Sequence, residues 1–311
     1  MTSAATAPRS VTVRAPAKVN LELHVGPRRG DGYHALSTVY MAVGLYDEVA
    51  VASADDWDIT VSGPYADRVP IDDTNLALMA AKTLAAEVGV GEPVSLRIHK
   101  DIPVAGGMAG GSADAAAALV ACDHLWAAGL AREELVELAA GLGSDVPFAM
   151  SGGIAMGSGR GEQLAPVLAR GSFYWVFAVS STGLSTPAVY AECDRLRGKA
   201  PVPAPQTSPG MMTALRSGDA EALGRALSND LQAAAISLQP ALREVLDAGQ
   251  EFGALGSIVS GSGPTVAFLT ASAESALDLC VSLAASGVAA EVKRAKAPVH
   301  GAHVLPGPSR V

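Results

Sequence analysis

Cysteine is scarce in this chain: three among 311 residues, Cys122, Cys193 and Cys280, widely separated in apolar or helical stretches. They make no CxxC pair and are too few for a disulfide framework, which argues against a cross-linked secreted scaffold and fits a reducing cytoplasm. Positive charge is short as well. Lys and Arg total 22 against 31 Asp and Glu, a net charge of -9, whereas a general nucleic-acid binder concentrates cations to neutralise phosphates. Any anionic ligand must therefore be met by local groups. Long apolar runs are missing too: no window approaches the ~20 residues needed to span a bilayer. The opening MTSAATAPRSVTVRAPAKVN holds no apolar segment of signal-peptide length. Neither membrane insertion nor secretion is expected. Two phosphate-binding signatures are also absent: no lysine precedes Ser112, so there is no GxxxxGK[ST], and GxGxxG does not occur. There is no internal repeat.

What the chain does have is apolar bulk. With 49% hydrophobic and 17% charged residues, it has material for a sizeable core and, at this length, for two closely packed domains. SVTVRAPAKVNLELHVG alternates apolar and polar residues in two runs hinged at Pro16, which predicts strands flanking a bend. TVYMAVGLYDEVAVASA, WDITVSG and PVSLRIHKDIPVA continue the strand character. NLALMAAKTLAAEVG, Asn75 to Gly89, has helical spacing and a glycine stop. Further helices are expected from the glycine stretch to about Gly129 and over REELVELAAGLG. After about residue 168 the pattern restarts with the strand SFYWVFAVSS and the proline-rich KAPVPAPQTSPG. Helices follow over MMTALRSG, AEALGRALSNDLQAAAI and PALREVLDAGQEFG, then strands over SIVSGSG and TVAFLT, a helix over SAESALDLCVSLAASG and a strand in AAEVKRAKA. This order predicts a second α+β domain over 169–311 after a first over 1–168. The first eight residues and GAHVLPGPSRV read as loosely held termini.

DIPVAGGMAGGSADAAAAL, Asp101 to Leu119, crowds four glycines against a run of alanines. Gly106, Gly107, Gly110 and Gly111 permit positive φ and bare backbone N–H groups, and Ser112 stands where a helix N-cap belongs. A helix N-terminus offers orphan donors and a partial positive charge, so phosphates can sit there despite the acidic total. On glycine content alone, phosphate binding and tight packing are equal alternatives. APAKVN places Lys18 and Asn20 on one side of a regular strand. GLGSDVPFAMSGG places Asp145 just after a helix that ends in glycine, and IVSGSGPTVAF supplies a second glycine turn. Taken singly, each has an ordinary reading: a solvated strand lysine, an N-cap for the turn at Pro147, and a hairpin at Gly261 and Gly263.

Taken together and in this order, these motifs resemble the GHMP kinase superfamily over nearly the whole chain. RRGDGYHALSTVYMAVGLYDEV further resembles the signature of the 4-diphosphocytidyl-2-C-methyl-D-erythritol kinases within it. The resemblance implies a two-domain α+β GHMP kinase fold, with an N-terminal domain like domain 2 of ribosomal protein S5 and a ferredoxin-like C-terminal domain. It implies ATP as co-substrate, accompanied by Mg²⁺, and transfer of the γ-phosphoryl group to the 2-hydroxyl of the cytidine diphosphate-linked methylerythritol, on the non-mevalonate route to isoprenoid precursors. Lys18 and Asp145 match the catalytic pair. The aspartate would orient the hydroxyl and accept its proton, and the lysine would hold the aspartate ionised and neutralise charge on the transferring group.

The matched ATP loop comprises Pro103, Val104, Ala105, Gly106, Gly107, Met108, Ala109, Gly110, Gly111 and Ser112, with Asn75 and Lys100 toward the adenine and nucleoside end. Ala105, Met108 and Ala109 stand where glycine, leucine and glycine are usual, a change that binding survives unless Ala109 adopts positive φ. Asp114 suits the helix dipole but would repel a phosphate, which makes it a metal candidate. On the substrate side, Tyr33 and His34 match the cytidine-holding pair and Tyr190 a second ring, with the base between Tyr33 and Tyr190 and His34 reading its edge. Thr186 and Asn20 match groups that reach the diphosphate or the polyol. Two alternatives stand beside this reading. One is a small-molecule kinase of the homoserine or mevalonate type, which has no use for the Tyr33–His34 element. The other is a non-catalytic GHMP-fold binding protein, against which the presence of both Lys18 and Asp145 speaks.

Overall fold

The computed structural model describes residues 10–90 and 92–306; of the loose ends expected at residues 1–8 and 301–311, the first and the last five residues of the second lie outside the described residues. In chain order the first half forms β1 (Ser10–Arg28), β2 (His34–Ser53), β3 (Asp58–Ser62), α1 (Leu76–Val88), β4 (Val94–His99), α2 (Gly110–Trp126), α3 (Arg132–Leu142), α4 (Val146–Ser151), β5 (Ile154–Ser158) and β6 (Gln163–Pro166). The second half forms β7 (Phe173–Val179), α5 (Thr186–Arg197), α6 (Pro209–Ser217), α7 (Ala220–Ala226), β8 (Ser228–Asn229), α8 (Gln232–Leu238), α9 (Ala241–Glu251), β9 (Gly256–Val259), β10 (Val266–Thr270), α10 (Ala273–Ser286), β11 (Glu291–Ala297) and β12 (His303–Val304).

β1 runs through Pro16 without a break, but its register against β2 shifts between Pro16 and Ala17, because proline has no N–H to give the ladder. Val11, Val13, Ala15, Ala17 and Val19 alternate into the main core, which leaves Lys18 and Asn20 together on the other face. The first sheet has the order β12-β1-β2-β4-β3, with β5 and β6 continuing from β2 and β8 lying parallel beside β1. α2 is buried almost all round, as a helix with other elements on every side must be. Its alanines, Ala115 to Ala118, let those neighbours approach closely.

The second sheet, ordered β11-β7-β10-β9 with antiparallel pairs throughout, has the βαββαβ connectivity of a ferredoxin-like domain. Phe173, Trp175 and Phe177 point from β7 into the same core as β1, whereas Val176 and Ala178 point into a second core with residues of α5, α8, α9 and α10. The two sheets thus share a continuous apolar interior. No helix among the described residues is long and apolar enough to cross a membrane, and all three cysteines are free.

Two expectations are corrected. AEALGRALSNDLQAAAI is not one helix: Ser228 and Asn229 leave it to pair with Glu22 and Leu23 of β1. There the Asn229 amide donates to the Val259 and Gly261 carbonyls at 2.8 and 2.7 Å, tertiary bonds that outcompete helix continuation. The C-terminal segment is held through its described part. Gly301 is buried, β12 pairs with β1, and the Leu305 N–H donates to the Thr12 carbonyl at 2.8 Å.

Candidate active site

The glycine loop between β4 and α2 is a backbone structure. Ala105, Gly107 and Ala109 have φ of 55°, 75° and 60°, the left-handed region, which costs a residue with a Cβ about 1–2 kcal/mol. Ala109 thus takes the positive φ in which alanine is strained, and the contacts around the loop must offset that strain for the phosphate seat to persist. Ala109 also serves as the N-cap of α2, without a side-chain cap bond, so Ser112 lies inside the first turn rather than at the cap. Surrounding contacts hold the loop in this shape. A Cβ on Gly107 would overlap the Ser260 carbonyl, and one on Gly106 would stand 2.7 Å from Thr265 Oγ1. Ser260 Oγ donates to the Gly107 carbonyl at 3.1 Å and the Lys18 N–H to the Met108 carbonyl at 3.2 Å. A Cβ on Gly110 would stand 3.0 Å from Lys100 Nζ, whereas Gly111 is exposed and a Cβ there would meet only Leu76, at 3.5 Å. Of the two alternatives for the glycines, packing accounts for Gly106, Gly107 and Gly110, and Gly111 is left at the cleft with room for a Cβ.

All of the predicted site residues except Asn75, Lys100 and Met108 line one cleft of about 850 Å³. Met108 is buried in the main core. Asn75 is spent as the N-cap of α1: its Oδ1 accepts from the Ala77 N–H at 2.9 Å and its Nδ2 donates to the Pro70 carbonyl at 2.8 Å. Lys100 is sealed beneath the loop and donates to Asp47 at 2.6 Å and Asp114 at 2.5 Å, so its side chain does not extend to the nucleoside end. Asp47 in turn accepts from the Asp101 and Ile102 N–H groups at 2.7 and 2.8 Å. Burial works against the Lys100 ammonium, but Asp114 and Asp47 outweigh it and hold Lys100 above the ordinary lysine value. Asp114 is pushed up to about 8, chiefly by burial: one ammonium cannot neutralise two buried carboxylates. Facing Lys100 rather than solvent, Asp114 is withdrawn as a metal candidate.

At the centre of the cleft Lys18 Nζ donates to Asn20 Oδ1 at 2.6 Å and stands 3.6 Å from Asp145 Oδ2. Asn20 donates to Thr38 Oγ1 at 2.8 Å, and Thr38 to the Glu22 carbonyl at 2.7 Å, a relay that fixes the Asn20 amide. Asp145 occupies the N-cap position of α4 but makes no capping bond with its side chain; instead it accepts from the Tyr40 hydroxyl at 3.1 Å. Burial, then the adjacent Asp145 carboxylate, holds the Tyr40 phenol well above the ordinary tyrosine value, so Tyr40 remains a donor. The readings of Lys18 as a solvated lysine and of Asp145 as a cap both fail on this geometry.

At the other end, α5 brings Tyr190 and, one turn on, Asp194 to His34. The Tyr190 and His34 rings stack at 5.2 Å and 28°, and His34 Nε2 bonds Asp194 Oδ1 at 2.9 Å. Tyr190 therefore stacks on His34 itself. Tyr33 is 55% exposed, with the Arg160 guanidinium 5.1 Å above its ring. Thr186 and Ser262 hydroxyls meet at 2.9 Å. Sequence reasoning missed Tyr40, Arg160 and Asp194. Only Asp194 carried a signal, its spacing of four from Tyr190.

Residues 75–153 match the family described as GHMP kinases N terminal domain, and residues 211–289 the one described as GHMP kinases C terminal. A 4-diphosphocytidyl-2-C-methyl-D-erythritol kinase of Streptomyces avermitilis is 56% identical over 296 residues, covering 95% of this chain and 100% of that one. The chain belongs to the 4-diphosphocytidyl-2-C-methyl-D-erythritol kinase family. As a GHMP kinase of this family it is an ATP-dependent small-molecule kinase with the α+β fold expected. A crystal structure of a 4-(cytidine 5'-diphospho)-2C-methyl-D-erythritol kinase superposes with a TM-score of 0.75 at 30% identity, over 93% of this chain and 99% of that one. The homoserine kinase of Cytophaga hutchinsonii superposes with a TM-score of 0.73 at 18% identity, over 98% of this chain and 100% of that one, and shares with this kinase family the fold alone.

Proposed function

We propose that this enzyme transfers the γ-phosphoryl group of ATP to the 2-hydroxyl of 4-diphosphocytidyl-2-C-methyl-D-erythritol, releasing the 2-phosphate and ADP on the methylerythritol phosphate route to isoprenoid precursors. The observation that carries this reading is that one cleft joins the glycine loop, the Lys18–Asp145 pair and the Tyr33–His34–Tyr190 end. ATP phosphates lie along the loop, over the Gly111 and Ser112 start of α2. Asp145, held by Tyr40 and Lys18, orients the substrate hydroxyl and accepts its proton, while Lys18 neutralises charge on the moving phosphoryl group. Because that transfer passes through a loose transition state, placement and charge matter more than basicity. Tyr33 stacks on the cytosine, and Asn20 and Thr186 face the diphosphate and polyol.

Among the described residues no three His, Cys, Asp or Glu side chains cluster to hold an ion. Asp145 and Ser112 line the cleft as oxygen donors, a set that fits Mg²⁺ arriving on the ATP phosphates and keeping most of its water. When bound, the ion neutralises phosphate charge. The free cysteines support a reducing, cytoplasmic setting, and the acidic total supports small-molecule rather than nucleic-acid partners. Two domains divide between residues 168 and 169, with β8 and β12 returning to the first sheet. The test is ADP release from ATP with the cytidine substrate, against homoserine and mevalonate. Turnover confined to the cytidine substrate is the expected result, and turnover of either comparator alone would overturn it.

A further inference from the structure

His34 is tied at one nitrogen only. Its Nε2 lies 2.9 Å from Asp194 Oδ1, and no hydrogen-bond partner for Nδ1 is found among the described residues although His34 lines the cleft. An ionised carboxylate only accepts. In a neutral imidazole held by it, the proton therefore sits on Nε2, and Nδ1 is left as a bare lone pair. The ring has little freedom to reverse this choice, because Tyr190 stacks on its face. The side chain of His34 is 6% exposed while that of Asp194 is 41% exposed, so the carboxylate keeps its contact with water.

We propose that Asp194 is a specificity-determining positioning residue, which fixes His34 as a hydrogen-bond acceptor toward the base and so selects cytosine against uracil. The inference rests on the cytidine reading of this end of the cleft. Cytosine carries an amine at C4, a donor, where uracil carries a carbonyl, an acceptor. A lone pair on Nδ1 takes the amine proton and faces the uracil oxygen lone pair to lone pair. An unrestrained histidine does not discriminate in this way, since it can move its proton to Nδ1 and donate to the uracil carbonyl. Asp194 thus acts through His34 and touches no reacting atom.

The test compares kcat/KM for the cytidine substrate and its uridine diphosphate-linked counterpart in the parent, Asp194→Ala and Asp194→Glu proteins. It is accompanied by imidazole ¹⁵N spectra of the full chain, with His34 assigned by difference from His34→Gln. In the parent, His34 is expected as the Nε2–H tautomer. Asp194→Ala is expected to mix the tautomers and to narrow the cytidine-to-uridine ratio by about tenfold, the worth of one neutral hydrogen bond, with the change in KM rather than in saturated kcat. Asp194→Glu, which keeps an acceptor of the same charge, is expected to recover part of the ratio. An Nδ1–H tautomer in the parent overturns the proposal without recourse to any variant, and so does an unchanged ratio in Asp194→Ala. A parent that phosphorylates both nucleotide substrates equally overturns the cytidine reading itself, whatever the tautomer.

Discussion

Asp145→Asn separates chemistry from architecture because the two predict opposite outcomes. The asparagine keeps the size of the side chain and an oxygen that can accept from the Tyr40 hydroxyl, now 3.1 Å from Oδ1. What it removes is the charge 3.6 Å from Lys18 and the ability to take a proton. That pair joins the nearly buried Lys18 to a part-exposed carboxylate, and the asparagine leaves the ammonium its bond to Asn20, so the loss should stay below the roughly 3–5 kcal/mol of a broken, fully buried pair. The helix start is indifferent to the change, since the side chain makes no cap bond there. Turnover should respond very differently. General-base assistance contributes about 10²–10⁴-fold, and a loose transition state favours the lower part of that range, or roughly 3–4 kcal/mol on the barrier. KM for both substrates should stay within a few-fold of the parent. Steady-state ADP release and calorimetric unfolding on this single variant suffice. A kcat near the parental value would remove Asp145 from the reaction, whatever its position. Lys18→Met should depress the same step, and the double variant should lose little beyond the worse single one, as catalytic partners do.

Gly110→Val drives a branched side chain toward Lys100 and Ile102 and should cost about 1–3 kcal/mol of stability in urea unfolding. Gly111→Val, where a Cβ makes only ordinary contact with Leu76 at the cleft, should instead raise KM for ATP with stability little changed, and equal ATP affinity in the latter would disprove the phosphate seat. The raised Asp114 carboxyl also makes stability pH-dependent. Its folded value of about 8 exceeds the ordinary ~4 of an unfolded chain, so the folded chain keeps a proton that the unfolded chain releases. Stability should therefore fall as pH rises from about 4 to about 8, by up to about 1.4 kcal/mol per unit. Urea midpoints at pH 6 and pH 8 should show a shallower loss for Asp114→Asn, and equal slopes would refute the assignment. Tyr33→Ala, at an exposed position, should leave the melting temperature unchanged and weaken the cytidine substrate by about 1–3 kcal/mol if base stacking here resembles stacking elsewhere. An unchanged KM would move the base away from Tyr33.

The parts legible in the sequence are those that local physics decides. α1 announces itself through a capping asparagine, helical spacing and a terminal Gly89 in the left-handed region, and the pairing of Lys18 with Asn20 follows from strand alternation alone. α5 was not legible: only Val189 and Cys193 of its twelve residues are buried, too thin a stripe for periodicity to register. Lys100 was misplaced because its surroundings are set by partners 53 and 14 residues away. Asn75 was misassigned for a different reason. Its residue type before a helix already favoured a cap, and the family resemblance drew it toward the nucleotide instead.

The glycine loop is pressed against a turn that belongs to the other sheet. Ser260 bonds the loop at Gly107, and a Cβ on Gly261 would stand 3.2 Å from Lys18 Nζ. The signature that marks this chain as a nucleotide binder lies wholly within residues 103–112, yet the wall that gives those residues their shape arrives some 150 residues later. A polypeptide emerging during synthesis therefore carries the complete phosphate motif long before it has a seat for the phosphate. The Ser260 and Thr265 contacts that press on Gly107 and Gly106 are missing until the turn between β9 and β10 has been made, so the loop reaches its finished shape late, together with the second sheet.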